Sequence, residues 1–174
     1  MGELWDVYNR KREKLGKTIE RGGNERLQDG EYRLVVFGFI MDKNNNIFLT
    51  QRDERKDYAL KWECSGGSVT IGEDTLLGVH REVKEESGFD IAMEKFKLIG
   101  TNIDEEDHVI VDVFLVILDN IDLNKVKLQE GETVDAKVVP FIEFENMIKN
   151  DMISTNVGKC YHQFLKDYYE KNLK

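Results

Sequence analysis

Histidine and cysteine are scarce in this 174-residue chain, with three and two copies respectively. A zinc centre wants several of them together, so that class of metal site is disfavoured. Cys64 and Cys160 lie far apart in sequence, and the expectation is two free thiols in a reducing cytoplasm. Long apolar runs are also missing. The longest, Val35 to Met41 and Val109 to Leu118, are too short or interrupted to span a bilayer. The opening MGELWDVYNRKREK carries charge where a signal peptide needs its apolar region, so a cytoplasmic location is expected. Positive charge is in deficit, 25 Lys and Arg against 34 Asp and Glu, for a net charge of −9 and a pI near 5.0. That balance leaves no electrostatic footprint for general nucleic-acid or acidic-membrane binding. An anionic ligand must be attracted locally, by bound metal and individual basic side chains. Internal repeats and low-complexity segments are absent, and 40% hydrophobic content suits one compact domain over residues 1–174. A monomer and a homodimer are both compatible with these residues.

The first 30 residues read as an N-terminal cap: Trp5 to Tyr8 forms a short strand, and Asn9 to Gly30, rich in Lys and Arg with Gly16, Gly22 and Gly23, is partly irregular. YRLVVFGFIM, Tyr32 to Met41, has strand composition, and the turn Asp42 to Asn46 joins it to Ile47–Gln51 as a β-hairpin. Arg52 to Lys61 is charged loop, and Trp62 to Val69 is extended. A helix then begins near Glu73 and ends at Gly88 as C-cap. Phe96–Thr101 and His108–Leu118 read as strands joined by the acidic loop Asn102–Asp107. Val134–Val139 is another strand, ended by Pro140, the one proline, and a helix Ile142–Asn150 follows. From Val157 to Leu173, apolar residues at i, i+3, i+4, i+7, i+8 and i+11 predict an amphipathic helix. Strands interleaved with two or three helices indicate a layered α/β fold with a mixed sheet.

The helix within Gly67–Phe89, GSVTIGEDTLLGVHREVKEESGF, has two unlike faces. At about 100° per residue, Glu82, Glu85 and Glu86 share one face, while Leu76, Val79, His80 and Val83 occupy the neighbouring arc. The apolar arc is an ordinary docking stripe. Like charges at i, i+3 and i+4 repel, at a cost of a few tenths of a kcal/mol per pair, unless something cationic sits among them. A hard cation would supply that charge.

Gly67, five spacers, Glu73, seven spacers and then Arg81, Glu82, Val83, Lys84, Glu85, Glu86, Ser87, Gly88 and Phe89 resemble the complete signature of the Nudix hydrolase family. Val79 stands where that family usually has a small residue. The resemblance implies an α/β/α sandwich with the signature as a catalytic loop-helix-loop. It implies a pyrophosphohydrolase acting on a small-molecule diphosphate linked to a second moiety X, most often a nucleoside, with Mg²⁺ or Mn²⁺ as cofactor. Glu82, Glu85 and Glu86 would be metal ligands with the backbone carbonyl of Gly66, and Glu73, Arg81, Gly67 and Gly88 would be supporting residues. The chemistry is coherent: a metal neutralises charge on both phosphates and lowers the pKa of a bound water, and oxygen donors suit Mg²⁺ or Mn²⁺ better than zinc.

The general base is expected either in the box or among loop carboxylates: Glu105, Glu106, Asp107, or Glu132, the preferred candidate. His108 and Asp112 share one strand face by period-two alternation, facing a substrate pocket or forming a buried pair. Arg52, Lys61 and Trp62 precede the box where relatives often contact substrate, although each could equally be core or solvated surface. His80 reads as a core histidine. The WDVY opening and the approach to GEYRLVV are similar to the Nudix branch related to isopentenyl diphosphate isomerase. However, the Cys and His that an isomerase needs are replaced here by Gly66 and Ser68, with Cys64 displaced by two residues. The other alternative, a non-catalytic Nudix module that senses a nucleotide, is opposed by the retention of Glu82, Glu85 and Glu86.

Overall fold

The computed structural model describes residues 2–174. Strands β1 (Leu4–Tyr8) and β2 (Lys14–Glu20) form an antiparallel ribbon, so Asn9–Gly30 is more regular than an irregular cap. Of β2 only Ile19 is buried, opposite Trp5 across the ribbon. A strand whose other residues all face water has no alternation for sequence reading to find.

Strand β3 (Arg33–Asp42) is central. It runs parallel to β8 (Val109–Leu118) along its whole length, from Arg33 opposite Val109 to Asp42 opposite Leu118. Its other edge is shared between β6 (Ser65–Ser68) and the start of β4 (Asn46–Arg52). The expected hairpin turn is present, with the Asp42 carboxylate accepting from the Asn44 and Asn46 amides. Its pairing stops at Met41 opposite Ile47, because β4 then turns away to β5 (Trp62–Glu63) and β9 (Thr133–Pro140). β7 (Lys97–Asp104) completes the mixed sheet on β8 and extends through much of the expected acidic loop, leaving a turn at 105–108.

Both sheet faces are covered. Helix α1 (Thr75–Ser87) buries Val79 and Val83 against Val36, Ile40, Phe48, Ile110 and Phe114. On the opposite face, α2 (Phe141–Lys149), α3 (Thr155–Cys160) and α4 (Lys166–Asn172) cover Phe39, Met41, Leu49, Val113 and Leu115. The result is the α/β/α sandwich with a central mixed sheet. Helices α3 and α4 are one run joined through a π turn at Tyr161–Leu165. Helix α1 starts two residues later than expected, because Asp74 caps it by accepting from Leu77 N–H at 2.8 Å while Glu73 belongs to the preceding turn.

Val79 has a structural counterpart. It lies over Gly38 of β3, where a Cβ would stand 2.9 Å from one Val79 methyl and 3.1 Å from a Val83 methyl. The bulk gained on the helix is offset by bulk missing from the strand. Gly38→Ala should destabilise by about 1–3 kcal/mol in denaturant unfolding through overpacking. In the double variant Gly38→Ala/Val79→Ala the new methyl enters the vacated space, so its cost should be smaller than the sum of the single costs. Strict additivity would contradict this packing account.

Candidate active site

Two glycines let the acidic face of α1 lie against the sheet. A Cβ on Gly67 would meet the Glu82 carboxylate at 2.5 Å, and one on Gly66 would strike the Val36 carbonyl and the Phe37 ring. Bare backbone is therefore required along this part of β6. At the helix end, Gly88 adopts φ 77° and donates to the Lys84 carbonyl, closing α1 with a left-handed cap.

Glu82 and Glu86 are buried at this contact, whereas the Glu85 side chain is 46% exposed. Glu86 accepts from Gly66 N–H at 3.2 Å and has no basic side chain paired with it among the described residues. Burial, reinforced by Glu63 and Glu82, pushes its pKa well above the usual carboxylate range. Burial also raises Glu82, against the opposing pull of Arg81. Glu63 is raised by burial despite Arg52.

Arg81 ties the box together. Its Nε and Nη2 donate to the two Glu73 oxygens at 2.8 and 3.0 Å, and Nη2 also reaches the Ser68 carbonyl at 3.0 Å. Nη1 donates to Glu82 at 2.7 Å and to Glu85 at 3.3 Å. Burial alone would raise Glu73, but Arg81 and the Thr70 N–H outweigh it and lower its pKa.

These residues fit a hard divalent cation by chemistry. They offer oxygen donors only, and they include a buried carboxylate with no cationic partner and a backbone turn held within reach by glycine. Among the described residues no three such side chains already converge on one point, since Arg81 draws Glu82 and Glu85 toward itself. Binding an ion would require those two carboxylates to turn from the guanidinium.

The carboxylates line a cleft of about 590 Å³. Of the residues singled out in the sequence, Arg52, Gly66, Gly67, Arg81, Glu82, Glu85, Glu86 and Glu132 line it. Arg52 is bound to Glu63 through Nη1 at 2.8 and 2.6 Å, and Glu132 pairs with Lys56.

Four expected substrate contacts are displaced from the cleft. Lys61 pairs with Asp151, and Trp62 packs on the core beneath Lys137, whose Nζ lies 4.2 Å from the ring. His108 adopts φ 52° outside β8, which breaks the alternation with Asp112, and its Nδ1 lies 3.2 Å from the Glu31 carbonyl. Asp112 is buried, accepting from Thr101 Oγ1 at 2.6 Å and pairing with Arg12 at the ribbon turn.

Glu105 pairs with Arg10 and Tyr32, and Glu106 lies in the turn after β7. Asp107 lines a separate small pocket. His80 packs edge-on to Phe96 at 6.0 Å, with Asp90 3.6 Å away. Cys64 is buried in the core and burial raises its pKa, so it offers no acid to the cleft.

Glu63, Lys56 and Arg33 are cleft residues that sequence reading passed over. Glu63 had a weak signal, as the residue facing opposite to Trp62 in an extended segment. Arg33 stood at the head of an apolar strand, where its orientation depends on the ribbon.

A carboxylate-lined cleft beside a glycine-floored loop-helix-loop, on this sandwich, is the arrangement that the resemblance to the Nudix hydrolase family implies. The NUDIX domain family model matches residues 31–159, and the chain belongs to that family. An uncharacterized Nudix hydrolase of Listeria monocytogenes is 32% identical over 145 residues, covering 82% of this chain and 83% of that protein. Nudix hydrolase 3 of Arabidopsis thaliana is 30% identical over 161 residues, covering 86% of this chain but 21% of the much longer plant protein. A crystal structure from Deinococcus radiodurans superposes with a TM-score of 0.73 at 14% identity, covering 92% of this chain and 98% of that one, which shows the fold.

Proposed function

We propose that this Nudix hydrolase cleaves a diphosphate linked to a moiety X, by attack of water on phosphorus, with Mg²⁺ or Mn²⁺ held by Glu82, Glu85, Glu86 and the Gly66 carbonyl. A nucleoside diphosphate derivative or nucleoside triphosphate is the default substrate. The observation that carries the reading is Glu86, a buried carboxylate without a cationic partner, placed where glycine brings backbone and helix together. The metal would neutralise phosphate charge and acidify the attacking water. Glu132 is the residue proposed to accept the water's proton. It lines the same cleft, where pairing with Lys56 orients it. Glu73 and Arg81 hold the box, and Arg52 holds Glu63 in the cleft wall.

The isomerase alternative lacks its acid and base, because Gly66 and Ser68 stand in their places and Cys64 faces the core. A panel of nucleoside di- and triphosphates, sugar nucleotides, dinucleotide cofactors and isoprenyl diphosphates tests the proposal, assayed for phosphate, pyrophosphate and phosphomonoester release with Mg²⁺, with Mn²⁺ and with chelator. Release from one compound class that stops with chelator is expected. Isomerisation of an isoprenyl diphosphate without phosphate release would overturn the reading.

A further inference from the structure

The cleft holds several basic groups, but most are already engaged. Arg52 is bound to Glu63, Lys56 to Glu132 and Arg81 to Glu73, Glu82 and Glu85. Arg21, at the mouth, pairs with Glu3 at 3.1 Å. Arg33 differs from all of these. Its guanidinium lies over the Trp5 ring at 4.7 Å and Nη1 donates to Ser68 Oγ at 2.8 Å, while no carboxylate pairs with it among the described residues. Asp107 and Glu3 act on it only at longer range, and burial with repulsion from Arg21 makes its charge more costly than usual.

A desolvated guanidinium without an anion is an expensive arrangement in a folded protein. This one rests on an aromatic ring contributed by β1 and is tethered to Ser68, so its remaining N–H groups are presented at low entropic cost. Its position is also distinctive. Arg33 lines the carboxylate cleft and, with Val35, Phe37 and Asn156, also lines a second pocket of about 100 Å³. That pocket has an apolar wall of Val109 and Val111, amides at Asn102 and Gln163, and a charged rim of Asp104, Asp107 and Lys159, of which Lys159 and Asp104 pair at 3.8 Å. Phosphate binding suits the first environment, and a polar group that offers hydrogen-bond donors to Asp107 and the two amides suits the second.

We propose that Arg33 clamps the phosphate joined to X, where the two cavities share lining residues, and thereby directs X across Phe37 into the second, polar-rimmed pocket. This rests on the pyrophosphohydrolase reading and assigns the substrate's orientation within it. Trp5 is a positioning residue, acting through the plane of the guanidinium. The N-terminal ribbon thus contributes to substrate binding although it lies outside the segment matched to the family.

The test compares wild type with Arg33→Lys, Arg33→Met and Trp5→Leu in the full chain. Readouts are KM and kcat on the best substrate of the panel, and calorimetric binding of inorganic pyrophosphate with Mg²⁺. Loss of a charge-assisted, two-pronged contact should raise KM and weaken pyrophosphate binding about 10- to 100-fold in Arg33→Met, with kcat changed only a few-fold. Arg33→Lys should recover part of the affinity, and Trp5→Leu should weaken it with the charge still present. Unchanged KM and unchanged pyrophosphate affinity in folded Arg33→Met would overturn the assignment. If wild type turned over no compound, the hydrolase reading would fail separately, and the pyrophosphate measurement would still decide the role of Arg33.

Discussion

Glu86→Gln is expected to lower turnover at least about 100-fold while leaving the fold intact, because it removes a metal-binding charge and keeps the shape. The same substitution should not destabilise the chelated protein. Glu86 is buried and has no basic partner, so its ionised form opposes folding. The sign follows from linkage. With the folded pKa raised above its unfolded value, the native state holds its proton longer, so stability is greatest below the ordinary carboxylate pKa and falls as pH rises toward the folded one. Burial shifts Glu82 and Glu63 in the same direction. Chelated wild type should therefore lose thermal stability from mildly acid to neutral pH. Mg²⁺ should restore it most where the carboxylates are charged, and Glu86→Gln should flatten the profile. A profile that rises with pH in chelator, followed by calorimetry, would contradict the buried-charge account.

Arg81→Met is the second large effect. The guanidinium serves Glu73, Glu82, Glu85 and the Ser68 carbonyl at once, and methionine keeps only its stem. Turnover should fall about 10- to 100-fold, as for loss of a group that orients metal ligands. Unfolding should cost roughly 2–3 kcal/mol less, below the loss for a fully buried pair because Arg81 is 24% exposed. Arg81→Lys can satisfy only some of these oxygens and should fall between. Adding Glu73→Gln to Arg81→Met removes the orphaned carboxylate and should return part of the stability but none of the activity. Recovery of both would mean that Arg81 acts only as a structural tie.

The box was legible because its chemistry and its helix share one period. Glu82, Glu85 and Glu86 fall on one face, Val79 and Val83 on the other, and Gly88 closes the end, while the cap at Asp74 was not read. The central strand was legible from an apolar run that continues on both faces, but its partners were not. Nothing in YRLVVFGFIM says that β8 lies beside it and that β4 leaves after one pair. Strand β2 was hidden by its exposure. The misplaced residues have two causes, and the first is that period-two reasoning fails where the backbone leaves the strand, as at His108 with φ 52°. Lys61 and Trp62 precede the box in sequence, yet they are turned to Asp151 and Lys137 by segments far along the chain. Arg33 gains its meaning only from Trp5 and Ser68, brought together by the ribbon and β6.

The most direct measurement is turnover of the best diphosphate substrate in ¹⁸O-labelled water, with Mg²⁺ and with chelator, reading the label in each product by mass spectrometry. Label in one phosphate product and none in X, with turnover lost in chelator and in Glu86→Gln, is the predicted result. Label in X, or turnover indifferent to chelator, would contradict metal-assisted attack of water on phosphorus at this site.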